Sequence, residues 1–180
     1  MTAGTRGRVL EGAALHRGVR TRCALARADG AITIAQRGAE ASIDELVVVG
    51  ADRGGTVATR DGRVRVELVE HLFAALGGLG VRDGVRVDVE GDELPLLDGG
   101  ARAFADALLE LDPPRAPPRL EIARAATLTS GRASYAFWPG DAVELDVAVD
   151  FRAPIGRTSA RWSGDAADFV ARIAPARTFA

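Results

Sequence analysis

The sequence contains no lysine: all 23 basic side chains are arginine. Schiff-base chemistry on a lysine, and a lysine gripping a phosphate, are therefore excluded within this chain. The abundance of Ala, Gly, Val and Asp that accompanies this absence reads as the codon bias of a GC-rich genome, not as a functional signal. Cysteine is nearly absent too. Cys23 stands alone, which excludes an intrachain disulfide and argues against a cysteine-based metal site. No charged start is followed by an apolar run, so a secretory signal is not expected. No apolar stretch approaches the roughly 18 residues of a bilayer-spanning helix. The expectation is a soluble, cytoplasmic protein. The net charge is −2 with acids and bases intermixed, so there is no basic patch to attract nucleic acid.

What is there is enough for a core. A chain of 180 residues forms one large domain or two small ones, and buries roughly 70% of the surface its unfolded form exposes. The clearest seam is Asp112-Pro-Pro-Arg-Ala-Pro-Pro-Arg119, because such a density of proline neither continues a helix nor fits a central strand. It divides a first unit, residues 1–112, from a second, residues 119–180, with 113–118 as linker. In the first unit Val19, Thr21, Cys23 and Leu25 share one face of an alternating segment. Residues 31–34, 45–49, 63–66 and 85–89 read as further strands between Gly- and Asp-containing turns. A helix is expected over about 66–79 and another over about 100–111. Asp98 would cap the second, and Phe104, Leu108 and Leu111 would form its buried stripe. The second unit repeats the order, with strands at 120–124, 134–138 and 143–151 and a helix over about 165–173. Strands followed by helices predict an α+β fold.

The first helix raises a question. With Val69 at zero and about 100° per residue, Leu72, Phe73 and Leu76 form a core stripe. His71 falls at about 200° on that wheel, opposite the stripe, with Glu70 on its flank. Around His71 stand Ala74, Ala75 and Gly78. A solvated face normally carries Lys, Glu or Arg, so a face cleared to Ala and Gly predicts close packing over it. Histidine is a common metal ligand, and a neighbouring carboxylate can act on metal-bound water. A Glu-His pair also occurs readily by chance, and the composition supplies Ala and Gly in any case. Geometry alone leaves both readings open. His16, the other histidine, reads as a turn residue bonded to backbone.

At these residues the chain resembles a known family. Val69-Glu-His-Leu-Phe-Ala-Ala-Leu-Gly-Gly-Leu-Gly80 is similar to the first-ligand helix of the zinc-dependent UDP-3-O-acyl-N-acetylglucosamine deacetylases of lipid A synthesis. Gly12-Ala-Ala-Leu-His-Arg-Gly18 resembles their N-terminal turn, and Asp92-Glu-Leu-Pro-Leu-Leu-Asp-Gly-Gly-Ala101 a later loop. Val149-Asp-Phe-Arg-Ala-Pro-Ile155 and Ala176-Arg-Thr-Phe179 follow in the expected order. The resemblance implies two small, mainly antiparallel sheets with helices packed between two domains, so the cleared face would point at the second domain. It implies that His71 is a zinc ligand and Glu70 the general base. It further implies that Thr178 stabilises the oxyanion, that Phe151 stacks on uracil, and that Phe179 joins Thr178 in binding substrate. Asp98 would be structural.

The same resemblance implies a gap. The family's other two zinc ligands, a substrate-contacting lysine and a second catalytic histidine lie beyond the Ala-Arg-Thr-Phe motif, so they are expected outside this chain. The second domain is then incomplete, and the chain is expected to be an inactive fragment on its own. The missing half would come from a longer gene or a separate chain. The implied partner is a UDP-linked acylated amino sugar, with peripheral contact at the inner membrane through its lipid. The rival from another class is a non-catalytic nucleotide-sugar-binding or interaction module of the same fold. An unrelated α+β domain would require five ordered matches to be accidental.

Overall fold

The computed structural model describes residues 7–51, 54–116 and 121–178. Its first unit is built on a five-stranded sheet in the order β1-β2-β8-β3-β4. The strands are β1 (Arg8–Ala13), β2 (Arg20–Ala31), β3 (Thr33–Gln36), β4 (Ala39–Ser42) and β8 (Asp83–Glu90). Every pairing is antiparallel except β3 with β8. Thr21, Cys23 and Leu25 of β2 are buried, as their alternation predicts, and Cys23 and Leu25 pair with Val89 and Val87 of the central β8. Val19 departs from that expectation. It precedes the strand and is 55% exposed.

A second, antiparallel sheet holds β5 (Leu46–Gly50), β6 (Thr56–Thr59) and β7 (Arg65–Glu67). From β7 the chain turns sharply into helix α1 (Glu70–Gly78) through Leu68, a buried residue at φ +58°. A left-handed backbone costs a bulky residue roughly 1–3 kcal/mol and persists only where its surroundings impose it. Here the neighbouring Glu67 is pinned on both sides: its N–H donates to the Asp92 carbonyl (2.9 Å), and its carbonyl accepts from Leu94 N–H (3.0 Å). Helix α1 ends where Val81 N–H reaches back to the Leu76 carbonyl (2.9 Å) and Gly80 takes φ +69°, a Schellman-type stop that favours glycine.

Helix α2 (Arg102–Leu111) buries Phe104, Leu108 and Leu111 as its spacing predicts. Phe104 is fully buried, and burial of such a side chain stabilises by about 1.5–3 kcal/mol. Asp98 does not cap this helix. Its Oδ1 accepts from Gly100 N–H (3.2 Å) within its own turn, and the cap position is Ala101. The Ala101 amide instead donates to the carbonyl of Ala174 (3.0 Å), so a tertiary contact does the work expected of a side chain. The two helices pack with Leu25, Ile34, Val85 and Val87 into one core. Residues 113–116 of the expected linker stay close to the first unit, with Ala116 N–H on the Gly80 carbonyl (2.9 Å).

The second unit begins with the exposed hairpin β9 (Ala126–Ser130) and β10 (Ala133–Phe137), then the pair β11 (Leu145–Asp150) and β12 (Arg157–Trp162). The strand expected at 120–124 is not formed at 121–124, and Leu120 lies outside the described residues. The expected last helix appears as a short α3 (Ala166–Asp168) that widens into a π-turn at Phe169–Ile173. Small, mainly antiparallel sheets with few helices make this an α+β fold, as expected.

Candidate functional site

Helix α1 carries the two candidate residues at its first turn. Val69 N–H donates to the Gly55 carbonyl (3.2 Å), which ties the helix entrance to the turn ahead of β6. Gly55 N–H in return donates to Glu70 Oε2 at 2.8 Å. A Cβ at Gly55 would come within 3.3 Å of that oxygen, so the close approach favours glycine. The carboxylate is thereby fixed through Oε2, and among the described residues no hydrogen bond to Oε1 is found. His71 is half-buried, and its Nε2 is buried without a hydrogen-bond partner. Buried polar atoms are nearly always paired, so an orphaned imidazole nitrogen needs an explanation.

The cleared face of α1 is covered in part: Ala75 and Gly78 are buried, whereas Ala74 stays exposed. A Cβ on Gly78 would lie 2.4 Å from the Phe169 ring. Phe169 is 3% exposed and meets Trp162 edge-to-face at 5.9 Å. Beside this contact, Ala74 and Gly77 face Leu145, Val147, Trp162 and Ile173 across an apolar cavity of about 290 Å³. Small residues on α1 thus admit aromatic and aliphatic groups of the second unit.

The other candidates lie apart from this pair. Thr178 N–H donates to the Gly99 carbonyl (2.7 Å), which sets Thr178 beside the turn that precedes α2. No hydrogen bond joins it to Glu70 or His71 among the described residues. Phe151 lies in the turn between β11 and β12, where its N–H donates to the Gly156 carbonyl (3.0 Å), and it is 42% exposed. Phe179 lies outside the described residues.

His16 is the residue that sequence reasoning undervalued. It sits in a turn, as expected, and its ring meets a carboxylate: Nδ1 lies 3.1 Å from Glu93 Oε1. That same oxygen accepts from Leu15 N–H (2.7 Å) and His16 N–H (3.2 Å). Glu93 is 1% exposed. With Glu67, these side chains bring three possible metal-ligating atoms within 4.8 Å of one another. Arg17 and Arg65 approach Glu67 at 3.6 and 3.4 Å and already supply positive charge there. The signal in the sequence was slight: Glu93 directly precedes the apolar run Leu94-Pro-Leu-Leu97.

The family comparison bears on this geometry. The profile of the UDP-3-O-acyl N-acetylglycosamine deacetylase family, LpxC, matches residues 5–180. The chain belongs to that family. It is 38% identical over 130 residues to the UDP-3-O-acyl-N-acetylglucosamine deacetylase of Myxococcus xanthus (strain DK1622), covering 69% of this chain and 40% of that protein. With the deacetylase of the same name from Pseudomonas entomophila (strain L48), identity is 32% over 178 residues, 93% of this chain and 58% of the relative. A Cellvibrio japonicus (strain Ueda107) deacetylase is 34% identical over 128 residues. The chain therefore spans about half the length of the LpxC relatives it matches. No helix among the described residues is long and apolar enough to cross a membrane.

Proposed function

We propose that this chain forms the part of a zinc-dependent deacetylase that contributes the proton-accepting carboxylate and one metal ligand. Its substrate would be the N-acetyl group of a UDP-3-O-acyl-N-acetylglucosamine. The observation that carries the reading is the buried, unpartnered His71 Nε2 next to a carboxylate already held by Gly55 N–H. A buried imidazole nitrogen with no hydrogen-bond partner among the described residues suits a metal ion, and adjacent Glu70 suits the chemistry such an ion supports. When bound, zinc would lower the pKa of a water molecule to roughly 7 and polarise the amide carbonyl. Glu70 would take a proton at Oε1, since Oε2 is occupied by Gly55. Thr178 would donate its hydroxyl to the oxyanion, and Phe151 and Phe179 would hold the nucleotide and sugar.

A catalytic zinc needs three protein ligands, and no three-member ligand group among the described residues includes His71. We infer that the remaining ligands come from further polypeptide, either a continuation of this chain or a separate one. The seam at 113–118 would divide a first domain from a second domain completed by that polypeptide. The same reading assigns the protein to the cytoplasm, meeting its acylated substrate at the inner-membrane surface.

The test is zinc stoichiometry and deacetylation, on the chain alone and together with the C-terminal half of a relative. His71→Ala should remove zinc from the completed enzyme, whereas Glu70→Ala should retain zinc and abolish turnover. Full metal retention by His71→Ala would remove that residue from the ligand set. Nucleotide-sugar binding without zinc or turnover in the completed assembly would favour the binding-module reading.

A further inference from the structure

Glu93 is a fully buried acid whose contacts converge on one short turn. Its Oε1 receives the amides of Leu15 and His16 and faces His16 Nδ1 at 3.1 Å. Its carbonyl accepts from Thr21 Oγ1 at 2.6 Å, and its backbone bridges to Glu67, three residues ahead of Glu70. Burying a carboxylate is unfavourable unless it is well bonded. Two backbone amides satisfy a turn without needing an imidazole as well. The imidazole has a second neighbour that explains it. A Cβ built on Gly54 would lie 3.4 Å from His16 Cε1 and 3.5 Å from Glu70 Oε1, so both groups flank one small space. Glu70 Oε1 is also the oxygen that Gly55 leaves unbonded.

We infer that Glu93 is a positioning residue of the Glu70 site: it holds His16 through Nδ1 so that the imidazole edge walls the space over Gly54 opposite Glu70 Oε1. A carboxylate only accepts hydrogen bonds, so this grip puts a proton on Nδ1 and fixes the orientation of the ring. The sequence separates the three residues widely; the β1–β2 turn, the 91–94 loop and the entrance of α1 bring them together. The inference rests on Glu70 as the proton acceptor for its chemical meaning, but its geometry is testable without turnover.

The experiment is long-range ¹H–¹⁵N NMR of the imidazoles in the 180-residue chain, with signals assigned by His16→Ala and His71→Ala. In the unmodified chain His16 should show the Nδ1–H tautomer. Glu93→Gln should convert it to a tautomer mixture, and Glu70→Gln should move the His16 Cε1–Hε1 resonance while leaving distant amides in place. In a zinc-loaded, completed enzyme, Glu93→Gln should lower kcat about tenfold or more, the range seen when partners behind a site residue are removed. An Nε2–H tautomer in the unmodified chain, or a His16 signal indifferent to Glu70→Gln, overturns the proposal and leaves Glu93 as a turn closure only. If the NMR coupling holds while no zinc or turnover is found, the positioning geometry stands and the deacetylase reading fails.

Discussion

Cys23 lies on β2 opposite Leu10 of β1 and Val89 of β8, with 0% exposure. Burial, aided by the charge of Asp88, pushes its thiol from an ordinary 9.0 up to about 12. The thiolate is the reactive form, so native protein at pH 8 should resist iodoacetamide under conditions that label the urea-unfolded chain within minutes. The sign for stability follows. A raised thiol pKa favours the fold below the unfolded value, and that contribution is lost as pH climbs from about 9 towards 12. Rapid native labelling would mean that β2 opens locally. At this scale the small neighbours of His71 drew notice to the Glu70–His71 pair, and the family resemblance, not geometry, gave it roles. The His16–Glu93 pair was not, because residues 77 apart in sequence meet only through the sheet.

Helix α1 packs tightly against the 166–173 segment. Gly78→Ala improves helix propensity by about 1 kcal/mol, yet its new methyl would stand 2.4 Å from the Phe169 ring carbons. Overpacking of that kind costs about 1–3 kcal/mol, and the penalty falls on the docked segment. Hydrogen exchange should therefore rise at 166–174 while β2 and β8 stay protected. Phe169→Ala should cancel most of the extra effect in a double-mutant cycle. Strict additivity of the two changes would show that the contact is not formed. The strands of the first unit were readable where one face alternates, as in β2 and β8. β1, β4, β6, β9 and β12 were missed because their alternating sides are less contrasted; β9, for instance, is exposed along its whole length. The cap of α2 was misread because a carbonyl from far along the chain, that of Ala174, takes the role assigned to Asp98.

Over the whole molecule, burial is uneven. The first unit contains nearly all of the core though it exposes Val48 at 73%, and the second unit exposes Trp138 at 68%, Leu128 at 57%, Val147 at 51% and Leu145 at 50%. Apolar surface of this kind drives association. Sedimentation of the isolated chain should show mass rising with concentration, and a mutation of Val147 to Asp should reduce it. A monomer at every concentration would mean that these side chains are too scattered to act as one patch. The α+β class was legible from the order of strands and helices. The sheet order was not, since β8 inserts between β2 and β3 and the parallel β3–β8 pairing leaves no mark in either strand's own pattern.

The contact of Phe169 with Gly78 also carries a timing. Bacterial and other ribosomes extend a chain at about 5–20 residues per second, and N-terminal units fold first. Helix α1 can close on the first sheet as soon as β8 and α2 have emerged, but Phe169 follows only several seconds later at about those rates. During that interval the strip from Ala74 to Gly78 is bare apolar surface on an otherwise folded unit. That strip is covered only once the second unit has arrived.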